Sequence, residues 1–199
     1  MLRYTQILDA THRLLVDQEL EDLGIYQIAK EAGVPPASAY HFFPTPGAAL
    51  VGLAKRYLER FKELNLNLQS PADGHWQTLV RQQLSNSRDI FEANLPMRKL
   101  FLGCHTTREL VLCNLDYNQM MAKSLVEAHE LMFHMPLIQE APRKYFVALT
   151  AIDAIWRLSQ ILHGHITSEY LEESVEISIA YFRTFLPERL VPRAVSEVG

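Results

Sequence analysis

A chain of 199 residues that is 48% hydrophobic and 21% charged can bury a substantial core, which excludes disordered and fibrous classes. Its 19 Lys and Arg against 23 Asp and Glu give a formal charge of -4, so any contact with nucleic acid must come from a local surface. Polar residues spaced through MLRYTQILDATHRLL exclude a signal-peptide core, and no later stretch reads as apolar enough to span a bilayer; a soluble, cytoplasmic protein with no membrane partner is expected.

Apolar positions recur at helical spacing almost throughout, with no sustained two-residue alternation, so the predicted class is all-α. Ile7, Ala10, Thr11, Leu14 and Leu15 share one face of a first helix, which the acidic run Asp17 to Asp22 and Gly24 close. A short second helix, Ile25 to Ala32, turns Ile28, Ala29 and Ala32 inward and stops at Gly33, the residue best able to take a left-handed backbone. Pro35 and Pro36 open a third helix that runs to Phe43 and ends at Pro44. Thr45, Pro46 and Gly47 read as a turn before an amphipathic fourth helix carrying Leu50, Leu53, Ala54, Tyr57, Leu58 and Phe61.

Gln69 to Gly74 is the clearest loop. Beyond it, Trp76, Leu79, Val80, Leu84, Ser87, Ile90 and Phe91 mark a fifth helix ending before Pro96, and a short segment from Met97 to Cys104 follows. Leu110 to Phe133 forms the next helix, closed by Pro136. A long one starts just after Pro142 with Tyr145, Ala148, Leu149, Ile152, Ile155, Trp156 and Ser159 on its face. The last starts at Ser168 and Glu169, with Leu171, Val175, Ser178, Ile179, Phe182 and Phe185 facing inward, and closes at Pro187.

Two short helices joined by a Gly-containing turn are the geometry that seats a second helix in a DNA major groove while the first braces it. The stretch IYQIAKEAGVPPASAYHFFPTPGAAL goes further. It resembles the helix-turn-helix of the TetR/AcrR family through Ile28, Ala29, Ala32, Gly33, Val34, Ser38, Tyr40, Phe43 and Leu50, a match confined to about the first fifty residues. The resemblance implies a head at residues 1–46 and a ligand-binding, dimerising body at 47–199, connected by a helix from about 47 to 66. It implies a homodimeric transcriptional regulator, a repressor released from a palindromic double-stranded operator by a small apolar effector, with neither enzymatic activity nor a cofactor.

The DNA-facing set implied is Gln27, Lys30, Pro35, Pro36, Ala37, Ser38, Tyr40, His41, Phe42 and Thr45. Hydroxyls such as Tyr40 and Thr45 donate to phosphate oxygens and fix register, and small side chains such as Ala37 let a helix approach thymine methyls. The chain departs from the family in three places: Pro35 and Gly24 stand where polar caps are usual, and Pro46 where a phosphate-binding Lys is common. Through residue 62, Arg3, Arg13, Lys30, Lys55, Arg56, Arg60 and Lys62 are matched by Asp9, Asp17, Glu19, Glu21, Asp22, Glu31 and Glu59, so a shallow salt dependence is expected.

In the body, Trp76, Phe91, Met97, Phe101, Cys104, His105, Tyr117, Met120, Met121, His129 and Trp156 are adaptable or aromatic side chains with a few polar groups. They serve equally as ordinary core or as the lining of an apolar ligand cavity, and the resemblance favours the cavity, with His105, Asn118 or His129 as its polar groups. Family members pair their last two long helices about a two-fold axis, which implicates Ile152, Ile155, Ser159, Val175, Ile179 and Phe182 in dimerisation. Cys104 and Cys113, nine apart on a helix, point to different faces and do not suit a disulfide. Neither they nor His163 and His165 have zinc-finger spacing, so buried thiols and a polar helix end are expected instead of a metal site. No nucleophile and base, phosphate-cradling glycine loop or inward carboxylate pair points to an enzyme. The alternative function is a helical module that binds a ligand or a protein without specific DNA binding.

Overall fold

The helical periodicity is realised as nine α-helices among residues 2–65, 74–103 and 107–193, which the computed structural model describes. They are α1 (Leu2–Asp17), α2 (Ile25–Glu31), α3 (Pro36–Phe42), α4 (Pro46–Asn65), α5 (Trp76–Glu92), α6 (Leu95–Leu102), α7 (Arg108–Met132), α8 (Ala141–His163) and α9 (Ser168–Phe182). The interior residues of the Gln69 to Gly74 loop, and Cys104 and His105, lie outside the described residues.

Three local expectations need correction, and one gains a detail. Thr45 is not part of a turn with Pro46 and Gly47: its Oγ1 accepts from the Ala48 amide at 3.1 Å and caps α4, which begins at Pro46. Pro96 does not separate helices but occupies the first turn of α6, where proline lacks no needed N–H, and Asn94 Oδ1 caps that helix by accepting from the Met97 amide at 3.1 Å. The acidic run after α1 contains a single 3-10 turn, Leu20–Asp22. A strand appears where none was expected: β1 (Phe133–His134) pairs antiparallel with β2 (Val191–Pro192), pinning the chain's end across the exit of α7. Such a two-residue ladder is too short to leave any alternation in the sequence.

Helices α1 to α3 form the head around Ile7, Leu15, Ile28, Ala29, Ala39 and Phe43, all buried, and Gly33 takes φ +66 in the turn between α2 and α3. Gly24 and Pro35, standing at the N-termini of α2 and α3, supply no side-chain cap. The head core is continuous with that of the body through Leu50, Leu53 and Leu58 of α4. Arg56 Nη1 on α4 meets Asp9 Oδ1 at 2.6 Å, His12 Nδ1 is hydrogen bonded to the Tyr57 hydroxyl, and Lys99 Nζ donates to the Gln18 carbonyl at 2.9 Å. Both α4 and α6 are therefore fastened to the end of the head that carries α1.

Helix α8 corrects a further expectation. Its 23 residues are long and apolar enough, by length and composition, to cross a membrane. Its inward face packs on α6, α7 and α9, and its outward face is apolar as well, with Val147, Leu158, Ile161 and Leu162 exposed. A helix that is apolar on two sides is one that covers a core and still has a surface left to bury.

Candidate functional site

Two features of the structure offer function: the outward face of α3 and a cavity in the body. On α3, Ala39 and the following Phe43 point into the head, which leaves Pro36, Ala37, Tyr40, His41 and Phe42 exposed together with Pro35. The ring of Tyr40, 40% exposed, is stacked edge-on against Tyr26 of α2 with centroids 5.7 Å apart, so its hydroxyl is presented from a braced ring. Phe42 is held in the same way by Tyr4 of α1 at 6.1 Å. Ser38 is half-buried and its Oγ accepts from Arg3 Nη1 at 3.3 Å.

Among the other residues expected here, Lys30 is exposed, whereas the Gln27 amide is turned away to donate to Gln18 Oε1 at 2.8 Å. The Thr45 oxygen is engaged in the cap described above. Sequence reasoning missed Tyr26 and Arg3. The signal for Tyr26 was present, since in α2 it falls opposite the inward Ile28 and Ala29, where a solvated helix rarely spends a large ring.

In the body, helices α4 to α9 surround a cavity of about 100 Å³, space for a few water-sized groups. Phe91, Met97, Tyr117, Met121, His129 and Trp156 of the expected set line it. Trp76 and Phe101 do not: Trp76 is fully buried with its Nε1 donating to the Pro187 carbonyl at 2.8 Å, and Phe101 packs behind Phe91. Met120 is a correction of the same kind, being 41% exposed on the outer side of α7, because adjacent residues on a helix point about a third of a turn apart and Met121 takes the inward position.

The dimer set is corrected more broadly. Ile152 and Phe182 line the cavity, and Ser159, Val175 and Ile179 are buried within the protomer; Ile155 is half-buried. The exposed apolar stripe of the last two long helices is instead Val147, Leu158, Ile161 and Leu162 on α8 with Ile177 on α9.

The polar groups of the cavity were the least legible. Asp153 on α8 faces it, and Oδ2 accepts from the side-chain amides of Asn114 at 2.7 Å and Asn118 at 2.6 Å, both on α7. Burial pushes this carboxyl up from its ordinary value, against the opposing pull of the two amides and of the Arg157 guanidinium. At the other end, His129 Nδ1 is hydrogen bonded to the Tyr145 hydroxyl at 2.6 Å, and burial depresses the imidazole to about 4, so it is neutral at physiological pH. His129 Nε2, the Tyr117 hydroxyl and Gln83 Nε2 are buried without a hydrogen-bond partner among the described residues. Cys113 is a half-buried free thiol, and no group of three metal-ligating side chains occurs among the described residues.

Residues 7–45 match the family of bacterial regulatory proteins, tetR family. No curated protein matches the chain. Among solved structures, a TetR-family transcriptional regulator from Streptomyces coelicolor superimposes with a TM-score of 0.68 at 25% identity, over 93% of this chain and 98% of that one. A TetR transcriptional regulator from Rhodococcus sp. RHA1 gives 0.67 at 14% identity, over 90% and 94%. The multidrug binding protein EbrR complexed with ethidium gives 0.62 at 18% identity, over 93% and 99%.

Proposed function

We propose that this TetR-type chain, with the family's helix-turn-helix match at residues 7–45 and the fold of its regulators, is a dimeric transcriptional repressor that a small effector releases from a palindromic operator. The observation that carries the reading is the outward face of α3, where Ala37, Tyr40, His41 and Phe42 stand clear of the core on a helix braced by α1 and α2. Residues 1–46 are the reading head and 47–199 the sensing and dimerising body. Its near-balanced charge makes a shallow salt dependence the expected behaviour, with specificity resting on base-edge and methyl contacts.

The effector site is the cavity, a reading that the ethidium complex of the EbrR neighbour supports. Leu58 and Phe61 of α4 line it, and the other half of α4 packs in the head, so an occupant that alters the α4 wall biases the spacing of the two heads. The test is selection of bound duplexes from a random pool by the purified protein. A palindrome is expected, with enrichment lost in Tyr40→Ala/His41→Ala; no enrichment even at low salt moves the reading to a module that binds a protein through its aromatic head.

Dimerisation is assigned to the exposed stripe of α8 and α9. Leu158→Glu, which places a charge in that stripe, is expected to shift the sedimenting species from dimer to monomer at micromolar concentration while the helical circular dichroism is retained. A dimer that survives the substitution assigns the interface elsewhere.

A further inference from the structure

The polar groups of the cavity have an order that the function proposed above does not use. Asp153 and Tyr145 lie on one helix eight residues apart, about 12 Å along the axis, and Tyr145 holds His129 at that far end. At the Asp153 end, Trp156 on α8 and Tyr117 beside Asn118 on α7 join Phe61 and Phe91, the rings edge-on to one another at centroid distances of 5.7 to 6.1 Å. The cavity thus has a carboxylate beside aromatic rings at one end and an imidazole at the other.

The two ends ask for different chemistry. The amides of Asn114 and Asn118 both grip Oδ2 of Asp153, and no hydrogen bond to Oδ1 is present among the described residues. Arg157, one turn on, gives Nη2 to the Phe101 carbonyl at 3.2 Å, and among the described residues no ion pair joins it to Asp153. The carboxylate is hydrogen bonded by neutral donors alone and the Arg157 guanidinium acts on it only from a distance, which leaves a direct ion pair for a ligand to make, and aromatic faces favour a cation beside them. His129, by contrast, is neutral, and its Nε2 is a single hydrogen-bonding atom with nothing to bond.

We infer that the occupant is a small molecule with two polar ends, a cationic nitrogen that pairs with Asp153 and a neutral hydrogen-bonding group that meets His129 Nε2, separated by an apolar or aromatic middle. The inference rests on the cavity being the effector site. It specifies one charge and its position, where a general apolar cavity specifies none.

The probes are tyramine, which has both ends, 4-propylphenol, in which a methyl replaces the ammonium, and phenethylamine, which lacks the hydroxyl. Calorimetric titration of the intact dimer is expected to give tyramine at least tenfold tighter binding than the more apolar 4-propylphenol, and severalfold tighter than phenethylamine. Asp153→Asn should erase the first preference without weakening 4-propylphenol, and His129→Phe should erase the second. Equal binding of tyramine and 4-propylphenol by the unmodified protein overturns the cationic end and leaves an apolar effector cavity standing. Failure of all three to bind at millimolar concentration overturns the cavity as an effector site as well.

Discussion

Gly74→Ala is expected to destabilise the protein by about 3 kcal/mol or more, a fall in melting temperature on the order of 10 °C for a chain of this size. Gly74 has φ +74, a backbone that an alanine adopts only at a cost of about 1 kcal/mol. Strain is the smaller part. A Cβ at this position would stand 2.1 Å from the Leu190 carbonyl oxygen, a backbone atom that cannot swing aside. The same two residues exchange a hydrogen bond, Leu190 N donating to the Gly74 carbonyl at 3.1 Å, and next to it Trp76 Nε1 reaches the Pro187 carbonyl. Relieving the clash therefore detaches the C-terminal segment from α5 and loosens the β1–β2 ladder that the segment supplies. Gly33→Ala is the control, because Gly33 has nearly the same φ, +66, with nothing within 4 Å of the added carbon. It is expected to cost only about 1 kcal/mol, and equal thermal shifts in the two variants would show that the Leu190 contact has no energetic weight.

The head was legible because its constraints are local. Gly33 ends α2, proline starts α3, and the inward positions Ile28, Ala29 and Phe43 follow helical spacing within forty residues of one another. The body obeys the same periodicity, but periodicity tells which residues share a face and not what that face meets. Helix α8 is apolar on both sides, so Ile152, on the cavity, and Leu158, on the surface, carry the same signal, and the residues expected at a dimer contact were found inside the protomer. Met120 and Met121 are chemically identical and differ only by one step around the helix. Asp153 was passed over because a carboxylate on a helix ordinarily faces water. Its one sequence signal is that it is the only charged residue between Lys144 and Arg157, a polar exception in a stretch otherwise fit for a core. Asn114 and Asn118, four apart on α7, become meaningful only once α7 and α8 are seen to pack together.

Stability should also fall in mild acid, and His129 is the group responsible. In the folded protein burial depresses its pKa from 6.5 to about 4, and in the unfolded chain it titrates at its ordinary value. Between these two values the unfolded state binds a proton that the folded state refuses, so stability rises with pH across the window. The contribution is fully present above 6.5 and is lost as the pH falls towards 4, amounting to about 3 kcal/mol for one proton over that range. Desolvation is the whole cause, since the imidazole sits 1% exposed between Phe133 and Tyr145 with no carboxylate bonded to it among the described residues. His129→Gln keeps a hydrogen-bonding side chain beside the Tyr145 hydroxyl but cannot titrate. Urea unfolding at fixed protein concentration across this window should show the two proteins converging as the pH falls, the unmodified one losing about 3 kcal/mol relative to the variant. Parallel curves would mean that water or a local opening reaches His129 in the folded state, and would remove the neutral pole on which selection at that end of the cavity depends.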